Sequence, residues 1–288
     1  MIVETAAAKV NLYLHVGPVR DDRLHALASL FVFTRDGDTI EVTESHELNL
    51  TIDGEFAGAL NDAPVEDNLV WRAAECLADA ASVSPAAAIK LTKSLPVAAG
   101  IGGGSADAAA ALLALNRHWN TGLSIAALRE IAFSLGADVP ACLTRAPVNV
   151  TGAGEVIEPG PELPPLWICL ANPRVETPTG PIFNQFDAEH PAPPVPQLAR
   201  GHARDRDGVA QMMRDTRNDL QELAIVHCPV IADVLALLEA TTGVIAARMS
   251  GSGATCFSLY ENRDDAVAAV RGAQERGWWA KASQLVTV

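Results

Sequence analysis

The stretch PVAAGIGGGSADAA, residues 96–109, places four glycines in five positions from Gly100 and runs into a segment rich in alanine and leucine. Glycine lets the backbone approach a ligand closely, because it has no Cβ and reaches positive φ without strain. Alanine and leucine are good helix formers. We therefore predict a loop that leads into a helix near Ser105, whose unpaired N–H groups and positive dipole end face the loop. Phosphate suits such a loop.

Two familiar phosphate motifs do not fit this loop. The P-loop pattern GxxxxGK[ST] is excluded, since the chain contains no Gly-Lys pair. The dinucleotide pattern GxGxxG fails because its last position, counted from Gly100, is Ser105. A tight strand-to-helix connection without a ligand stays open as the alternative.

Whole-chain properties narrow the class of protein. The 288 residues allow one large domain or two medium ones, and a hydrophobic share of 49% argues against global disorder. The net charge of −14 gives no support to a broad surface for nucleic acid or an acidic membrane, and favours a small-molecule partner. Five widely spaced cysteines without a CxxC pair predict buried free thiols. Without a signal peptide or a long apolar run, we expect a soluble cytoplasmic protein.

Several polar residues lie on or directly beside the strands and the helix that are predicted around the loop. Alternating hydrophobicity in residues 9–16 predicts a strand with Lys9 and Asn11 on one side. A strand is predicted over 88–95, immediately before the loop. Asp138 follows a predicted helix, at a junction where a polar group can face a binding site.

The helix that precedes Asp138 has sequence signals for its start and its end, and one other helix is predicted before the loop. Ser124 can cap a helix over 125–135, and Gly136 can end it. A second helix is predicted from Asn68 onward. The helix from Asn68 precedes the loop and the helix over 125–135 follows it, both in the first half of the chain.

The second half has a different order of elements. A strand near Leu166 is followed by a proline-rich surface connection over 189–208, and then by a helix, two strands around the turn SGSG, a helix and a closing strand. This order matches the split β-α-β arrangement of a ferredoxin-like half. We predict a domain boundary near residue 158.

The glycine stretch resembles the phosphate loop of the GHMP kinase superfamily. Further stretches agree with that family in the same order: AKVNLYLHV from Ala8, LGADVP from Leu135 and SGSGAT from Ser250, with weaker agreement in DNLVWRAA from Asp67 and RNDLQ from Arg217. The resemblance covers residues 8–255 except the proline-rich insert. It implies a two-domain α+β fold, with a ribosomal protein S5 domain 2-like half over 1–158 and a ferredoxin-like half over 159–288.

The resemblance also implies an ATP-dependent small-molecule kinase, with magnesium as the expected metal. The family's catalytic lysine and aspartate fall on Lys9 and Asp138. Asp138 would accept the proton of the acceptor hydroxyl, while Lys9 would favour the ionised carboxylate and offset charge on the transferred group. The alternatives are a helix-capping role for Asp138 and a solvent-facing Lys9.

The resemblance implies that the whole glycine loop wraps the triphosphate. Its residues are Pro96, Val97, Ala98, Ala99, Gly100, Ile101, Gly102, Gly103, Gly104, Ser105 and Ala106. Relatives commonly carry a second serine where this chain has Ala106, so Ser105 is the better candidate for a hydroxyl on phosphate or metal. The SGSG turn is expected to close over the phosphates, with an ordinary hairpin turn as the alternative.

Within the family, the form GGGSAD is most similar to members that phosphorylate the tertiary 2-hydroxyl of a cytidine diphosphate-linked methylerythritol, in the non-mevalonate route to isoprenoids. The implied substrate contacts are Asn11, His25, Thr179 and Phe183, with Phe183 as the base-stacking ring. Relatives usually have a tyrosine where this chain has Leu24, so one half of the aromatic sandwich is missing.

Other functions stay open at this point. A homoserine or mevalonate kinase is the nearest alternative, and a nucleotide-binding regulator without catalysis is the alternative from another class. We expect ATP and a small molecule as partners, with neither nucleic acid nor membrane, and either a monomer or a homodimer.

Overall fold

The structure is a computed structural model that describes residues 1–60, 62–199 and 203–287. Its strands are β1 Ile2–Val19, β2 His25–Thr43, β3 Leu48–Asp53, β4 Ala87–Thr92, β5 Val148–Gly152, β6 Val156–Pro159, β7 Trp167–Asn172, β8 Ala246–Met249, β9 Cys256–Tyr260 and β10 Trp279–Gln284. Its α-helices are α1 Leu69–Ala81, α2 Gly103–His118, α3 Ile125–Leu135, α4 Val139–Cys142, α5 Thr179–Glu189, α6 Arg206–Asp215, α7 Gln221–His227, α8 Val230–Glu239 and α9 Arg263–Glu275.

Helix ends follow the capping residues of the sequence. The Asn68 side chain accepts a hydrogen bond from the Val70 N–H at the start of α1, 2.9 Å long. Ser124 caps α3 in the same way, and Gly136 follows its last residue, so both predicted helices are confirmed. Helix α2 begins two residues before the predicted Ser105, because Gly102 takes the capping position with a φ of +62°.

The first compact unit comprises Met1–Lys9, Asp36–Val97 and Gly102–Arg145. In its sheet, β4 pairs in parallel with β3 and antiparallel with the second half of β2. Helices α1, α2, α3 and α4 pack on one another in this unit. Its buried core is largely aliphatic and includes Leu77, Ile89, Leu91, Leu112 and Leu128.

The second unit comprises Val10–Arg35, Ala98–Ile101 and the chain from Ala146 onward. The first half of β2 pairs antiparallel with β5, which pairs with β6. A separate antiparallel sheet has the order β10-β7-β9-β8. Numbered within this half, the order is 4-1-3-2, which confirms the predicted ferredoxin-like arrangement. The boundary near residue 158 stays a prediction.

The proline-rich connection lies between α5 and α6, two helices that were not predicted from the sequence. In its described part, the residues from 190 to 205 form neither helix nor strand, while Glu189 closes α5 and Arg206 opens α6. Its positions 200–202 lie outside the described residues. Among the helices that the structure describes, none is long and apolar enough to cross a membrane.

Candidate active site

The glycine loop connects β4 to α2 and requires glycine at two positions. Gly100 and Gly102 have φ values of +75° and +62°, in the region that side chains disfavour. A Cβ on Gly100 would lie 2.4 Å from the Ser250 carbonyl oxygen, and one on Gly102 would lie 3.0 Å from Cε of Lys9. Close contacts therefore add to the backbone conformation in excluding larger residues.

The amino terminus of α2 completes the loop. The N–H of Ala106 makes the first helical bond, 2.8 Å to the Gly102 carbonyl. The N–H groups before it in α2 precede that bond and are free of the helical ladder. Ser105 is partly exposed, whereas Ala106 is buried. This start of α2 offers N–H groups, a positive dipole end and the Ser105 hydroxyl to an anion.

Lys9 and Asp138 meet in the first unit, although 129 positions separate them in the chain. Nζ of Lys9 lies 3.0 Å from Oδ2 of Asp138. The Lys9 side chain is 6% exposed, so it is not the solvent-facing strand lysine of the alternative interpretation. Asp138 occupies the position before α4, but its side chain makes no capping hydrogen bond.

A buried cluster of charges lies directly beside the loop and was missed by the sequence reasoning. Nζ of Lys93 contacts both Asp38 and Asp107, at 2.7 Å for Oδ2 of Asp107. Asp38 also accepts hydrogen bonds from the N–H groups of Ser94 and Leu95, just before the loop. The cluster thereby joins the strand that enters the loop to the helix that leaves it. Asp107, a charge among the alanines that open α2, was the available sequence signal.

Burial dominates the electrostatics of this cluster. It raises the pKa of Asp107 to about 7, although the Lys93 ammonium acts in the opposite direction. Oδ1 of Asp107 is buried and has no hydrogen-bond partner among the described residues. For Lys93, burial lowers the pKa, but the charges of Asp107 and Asp38 outweigh it and the net pKa is raised. Lys93 is therefore charged at neutral pH.

The SGSG turn, residues 250–253, contacts the glycine loop within the second unit. Oγ of Ser250 donates a hydrogen bond to the Gly100 carbonyl at 2.9 Å and accepts one from the Asn11 N–H at 3.1 Å. The Thr255 N–H donates to the Ala99 carbonyl at 3.2 Å. The turn is thus attached to the loop, which an ordinary hairpin turn does not require.

The predicted substrate residues lie in the second unit. The rings of His25 and Phe183 are 5.0 Å apart between centroids, and both line a cavity of about 380 Å³. Nδ1 of His25 lies 3.0 Å from the Gly17 carbonyl oxygen, and Nε2 lies 3.5 Å from Oδ1 of Asp187. Leu24 is 52% exposed and lines the same cavity.

Thr179 and Asn11 occupy other places in that unit. Thr179 begins α5, and its hydroxyl lies 2.9 Å from the Ser252 hydroxyl of the SGSG turn. The buried Asn11 side chain donates to Ser29 at 3.0 Å, while its backbone N–H bonds Ser250. The structure therefore brings His25 and Phe183 together, and places Thr179 and Asn11 beside the turn.

A second cavity, of about 310 Å³, lies beside the start of α1 and was not predicted. Leu50, Ile52, Leu60, Val65 and Asn68 are among its lining residues. A Cβ on Gly104 would lie 3.6 Å from Leu69, so the start of α1 adjoins that of α2. Most of the lining residues are apolar, and Asp67 and Asn68 supply the polar side chains, a combination that suits a flat heterocyclic base.

Three features together are those of a two-domain small-molecule kinase. They are a glycine loop that leads into a helix, a lysine–carboxylate pair and a ferredoxin-like second half. Models of two families match the chain: the GHMP kinases N terminal domain over residues 68–145, and the GHMP kinases C terminal domain over residues 195–277. The chain belongs to the GHMP kinase family.

Individual relatives are similar over almost the whole chain. A 4-diphosphocytidyl-2-C-methyl-D-erythritol kinase of Paramagnetospirillum magneticum is 47% identical and covers 98% of both chains. A kinase of the same name from Ruegeria pomeroyi is 48% identical and covers 95% of both.

Solved structures agree with this similarity. The crystal structure of a 4-(cytidine 5'-diphospho)-2C-methyl-D-erythritol kinase is 30% identical, with a TM-score of 0.79 over 99% of this chain and 100% of that one. A homoserine kinase from Cytophaga hutchinsonii has a TM-score of 0.73 over 99% and 94% of the two chains, at 17% identity. At that identity the homoserine kinase indicates a shared fold alone.

Proposed function

We propose that this protein transfers the γ-phosphoryl group of ATP to the 2-hydroxyl of 4-diphosphocytidyl-2-C-methyl-D-erythritol, giving the 2-phosphate and ADP in the non-mevalonate route to isoprenoid precursors. The relatives of that name, at up to 48% identity over nearly the full chain, support the reaction. The observation that carries the chemistry is the 3.0 Å contact of Lys9 with Asp138, next to Gly102 of the loop.

In this proposal Asp138 is the general base. The 2-oxygen bonds to the γ-phosphorus as the bond to the bridging oxygen of ADP breaks, and the hydroxyl proton passes to the Asp138 carboxylate. The Lys9 ammonium holds the Asp138 carboxylate in place and offsets negative charge on the transferred group. The part of Asp138 that stays exposed leaves access for a hydroxyl.

The glycine loop is proposed to hold the triphosphate. Residues 96–106 let the backbone approach the phosphates closely and include the amino terminus of α2. The cavity beside Asn68 is the proposed site of the adenine base. Magnesium would be held mainly by phosphate oxygens and water, with the Ser105 hydroxyl as the candidate protein ligand, because a hydroxyl oxygen is a hard donor that fits this ion. When bound, magnesium would neutralise charge on the phosphates.

The cavity lined by His25 and Phe183 is proposed to hold the cytidine end of the acceptor. The Phe183 ring offers a stacking face, and His25 is fixed by the Gly17 carbonyl and Asp187. Leu24 would add apolar contact on the side where relatives supply a second ring. Thr179 and Asn11 are proposed as further polar contacts. We also propose a cytoplasmic monomer or homodimer.

Comparison of acceptors tests this function. Turnover of ATP is measured with the cytidine-linked alcohol, with homoserine and with mevalonate at matched concentrations. The proposal expects kcat/KM to be highest for the cytidine-linked alcohol, and Phe183→Leu to weaken that acceptor selectively. Preference for homoserine or mevalonate would overturn the substrate, and ATP binding without transfer to any of the three would support the regulator instead.

A further inference from the structure

The segment RNDLQ, residues 217–221, is a sequence motif that the proposed function leaves without a role. It links α6 to α7, and its Asn218 is buried and forms an isolated β-bridge with Leu14 of β1. A buried carboxamide needs partners, because leaving it unsatisfied costs free energy. The partners of Asn218 therefore indicate what this residue holds in place.

Both donor bonds of the Asn218 side chain go to the start of the SGSG turn. Nδ2 donates to the carbonyl oxygens of Met249 and Gly251, each at 2.8 Å. Oδ1 accepts from the Leu220 N–H at 3.0 Å. These carbonyls belong to the Met249–Ser250 and Gly251–Ser252 peptide groups, so one carboxamide holds the backbone just before Ser250 and just after Gly251.

Ser250 and Gly251 also contact the glycine loop. The Ser250 hydroxyl donates to the Gly100 carbonyl, and a Cβ on Gly251 would lie 2.9 Å from the same oxygen. Ser250 is fully buried. So little space remains here that a displacement of the turn must displace Gly100 or break its hydrogen bond.

Arg248 of β8 fixes the residues that precede Asn218. Its guanidinium donates to the Thr216 carbonyl at 2.7 Å and to the Leu12 carbonyl at 2.8 Å. Burial lowers the pKa of Arg248 to about 10, so it stays charged at neutral pH. Asn218 is thus held by β1 and β8 while it holds the turn.

We propose that Asn218 is a positioning residue for phosphoryl transfer: it fixes the SGSG turn so that Ser250 holds the Gly100 carbonyl, and with it the glycine loop, in place for the triphosphate. This inference rests on the proposed role of the loop in ATP binding. The competing explanation is a structural asparagine that stabilises the fold without affecting ATP.

The kinetic constants of Asn218→Ala separate these explanations. Loss of two hydrogen bonds and of loop geometry should raise the KM for ATP by about tenfold or more. The KM for the cytidine-linked alcohol should rise by a smaller factor, since His25 and Phe183 hold their cavity by contacts of their own and only the contacts of Thr179 and Asn11 lie at the turn. An unchanged KM for ATP, or equal rises in both constants, would overturn the inference.

Asn116→Ala is the matched control. Asn116 also bridges backbone groups, with Nδ2 donating to the Leu123 carbonyl and Oδ1 accepting from the Leu123 N–H, but it does so near the far end of α2. This variant should lose stability and keep both KM values. If it raised the KM for ATP as Asn218→Ala does, the effect would be structural and the inference wrong.

Asn218→Asp keeps the shape and tests the donor bonds. An ionised carboxylate cannot donate to the two carbonyls, whereas a protonated one can donate a single bond. The ratio of its KM for ATP to that of the unaltered chain should therefore fall as the pH is lowered. A ratio that does not change with pH would contradict the role of these bonds.

Failure of the proposed function is recognised separately. The unaltered chain is assayed first, and no turnover with the cytidine-linked alcohol would contradict that substrate. The inference is then judged on the affinity for a non-hydrolysable ATP analogue, which Asn218→Ala must lower by about tenfold. Equal affinity of the two chains would overturn it.

Discussion

The ammonium of Lys9 lies 3.0 Å from the carboxylate of Asp138, and the two side chains differ in exposure at 6% and 37%. The cation is thus shielded from water, while the carboxylate keeps an accessible part. This difference suits a pair in which the lysine acts by its charge and the aspartate by contact with a substrate hydroxyl.

Asp138→Asn should lower kcat by about 10²–10⁴-fold, because the amide cannot accept the proton of the acceptor hydroxyl. Affinity for an ATP analogue should stay within about twofold, since this role concerns the acceptor. Steady-state kinetics and calorimetry measure the two quantities. Asp53→Asn is the matched control, because the exposed Asp53 side chain also lies 3.0 Å from a lysine, Lys90, and neither side chain has a proposed role. Near-normal turnover of Asp138→Asn would remove it as the base.

Gly100→Ala should raise the KM for ATP by about tenfold, because the added Cβ would meet the Ser250 carbonyl in a backbone conformation with φ of +75°. Gly122→Ala isolates the backbone effect. Its φ is +69°, and no atom lies within 4 Å of the new Cβ. Both variants should lose stability in urea, but only Gly100→Ala should change the KM. Equal kinetic effects would show that contact with the SGSG turn is unimportant.

Asp107→Asn should become more stable relative to the unaltered chain as the pH rises. Burial raises the pKa of Asp107 to about 7 in the folded protein, against about 3.9 in an unfolded chain. The folded state therefore binds the proton more tightly, and stability is lost as the pH rises through this window. The asparagine variant has no such loss.

Urea unfolding at about pH 4 and about pH 8 measures this difference. Asp53→Asn, the control, should not gain stability relative to the unaltered chain as the pH rises, because hydrogen bonds from Thr92 and Lys90 lower the pKa of Asp53 and its contribution is lost only as the pH falls toward about 4 and below. A level difference for Asp107→Asn would show that Asp107 is ionised throughout.

Leu24→Tyr should lower the KM for the cytidine-linked alcohol by about two- to tenfold, because it supplies a second aromatic face to the cavity lined by Phe183. Leu24 is exposed, so the larger ring requires no repacking of the core. The KM for ATP should not change. An unchanged KM for the alcohol would mean that the base does not stack in this cavity.

Local sequence signals predicted much of the fold. Ser124 and Gly136 cap and end α3 as predicted, and the helix predicted from Asn68 begins at Leu69, directly after the Asn68 cap. The start of α2 was misplaced by two residues because glycine is a poor helix former, yet Gly103 and Gly104 are helical here.

The candidate site depended on contacts between distant residues. Nothing in spacing or periodicity pairs Lys9 with Asp138, and only the resemblance to a family suggested it. The cluster joins Asp38 of β2, Lys93 just after β4 and Asp107 of α2, so no local pattern shows that these residues meet. The bonds of Asn218 to the SGSG turn are likewise long-range.

A crystal structure with a non-hydrolysable ATP analogue and the cytidine-linked alcohol is the most direct test of the proposed chemistry. In this structure the 2-hydroxyl should lie within hydrogen-bond distance of the Asp138 carboxylate, at about 2.6–3.2 Å, and face the γ-phosphorus. A 2-hydroxyl that contacts another base, or an Asp138 side chain directed away from both ligands, would contradict it.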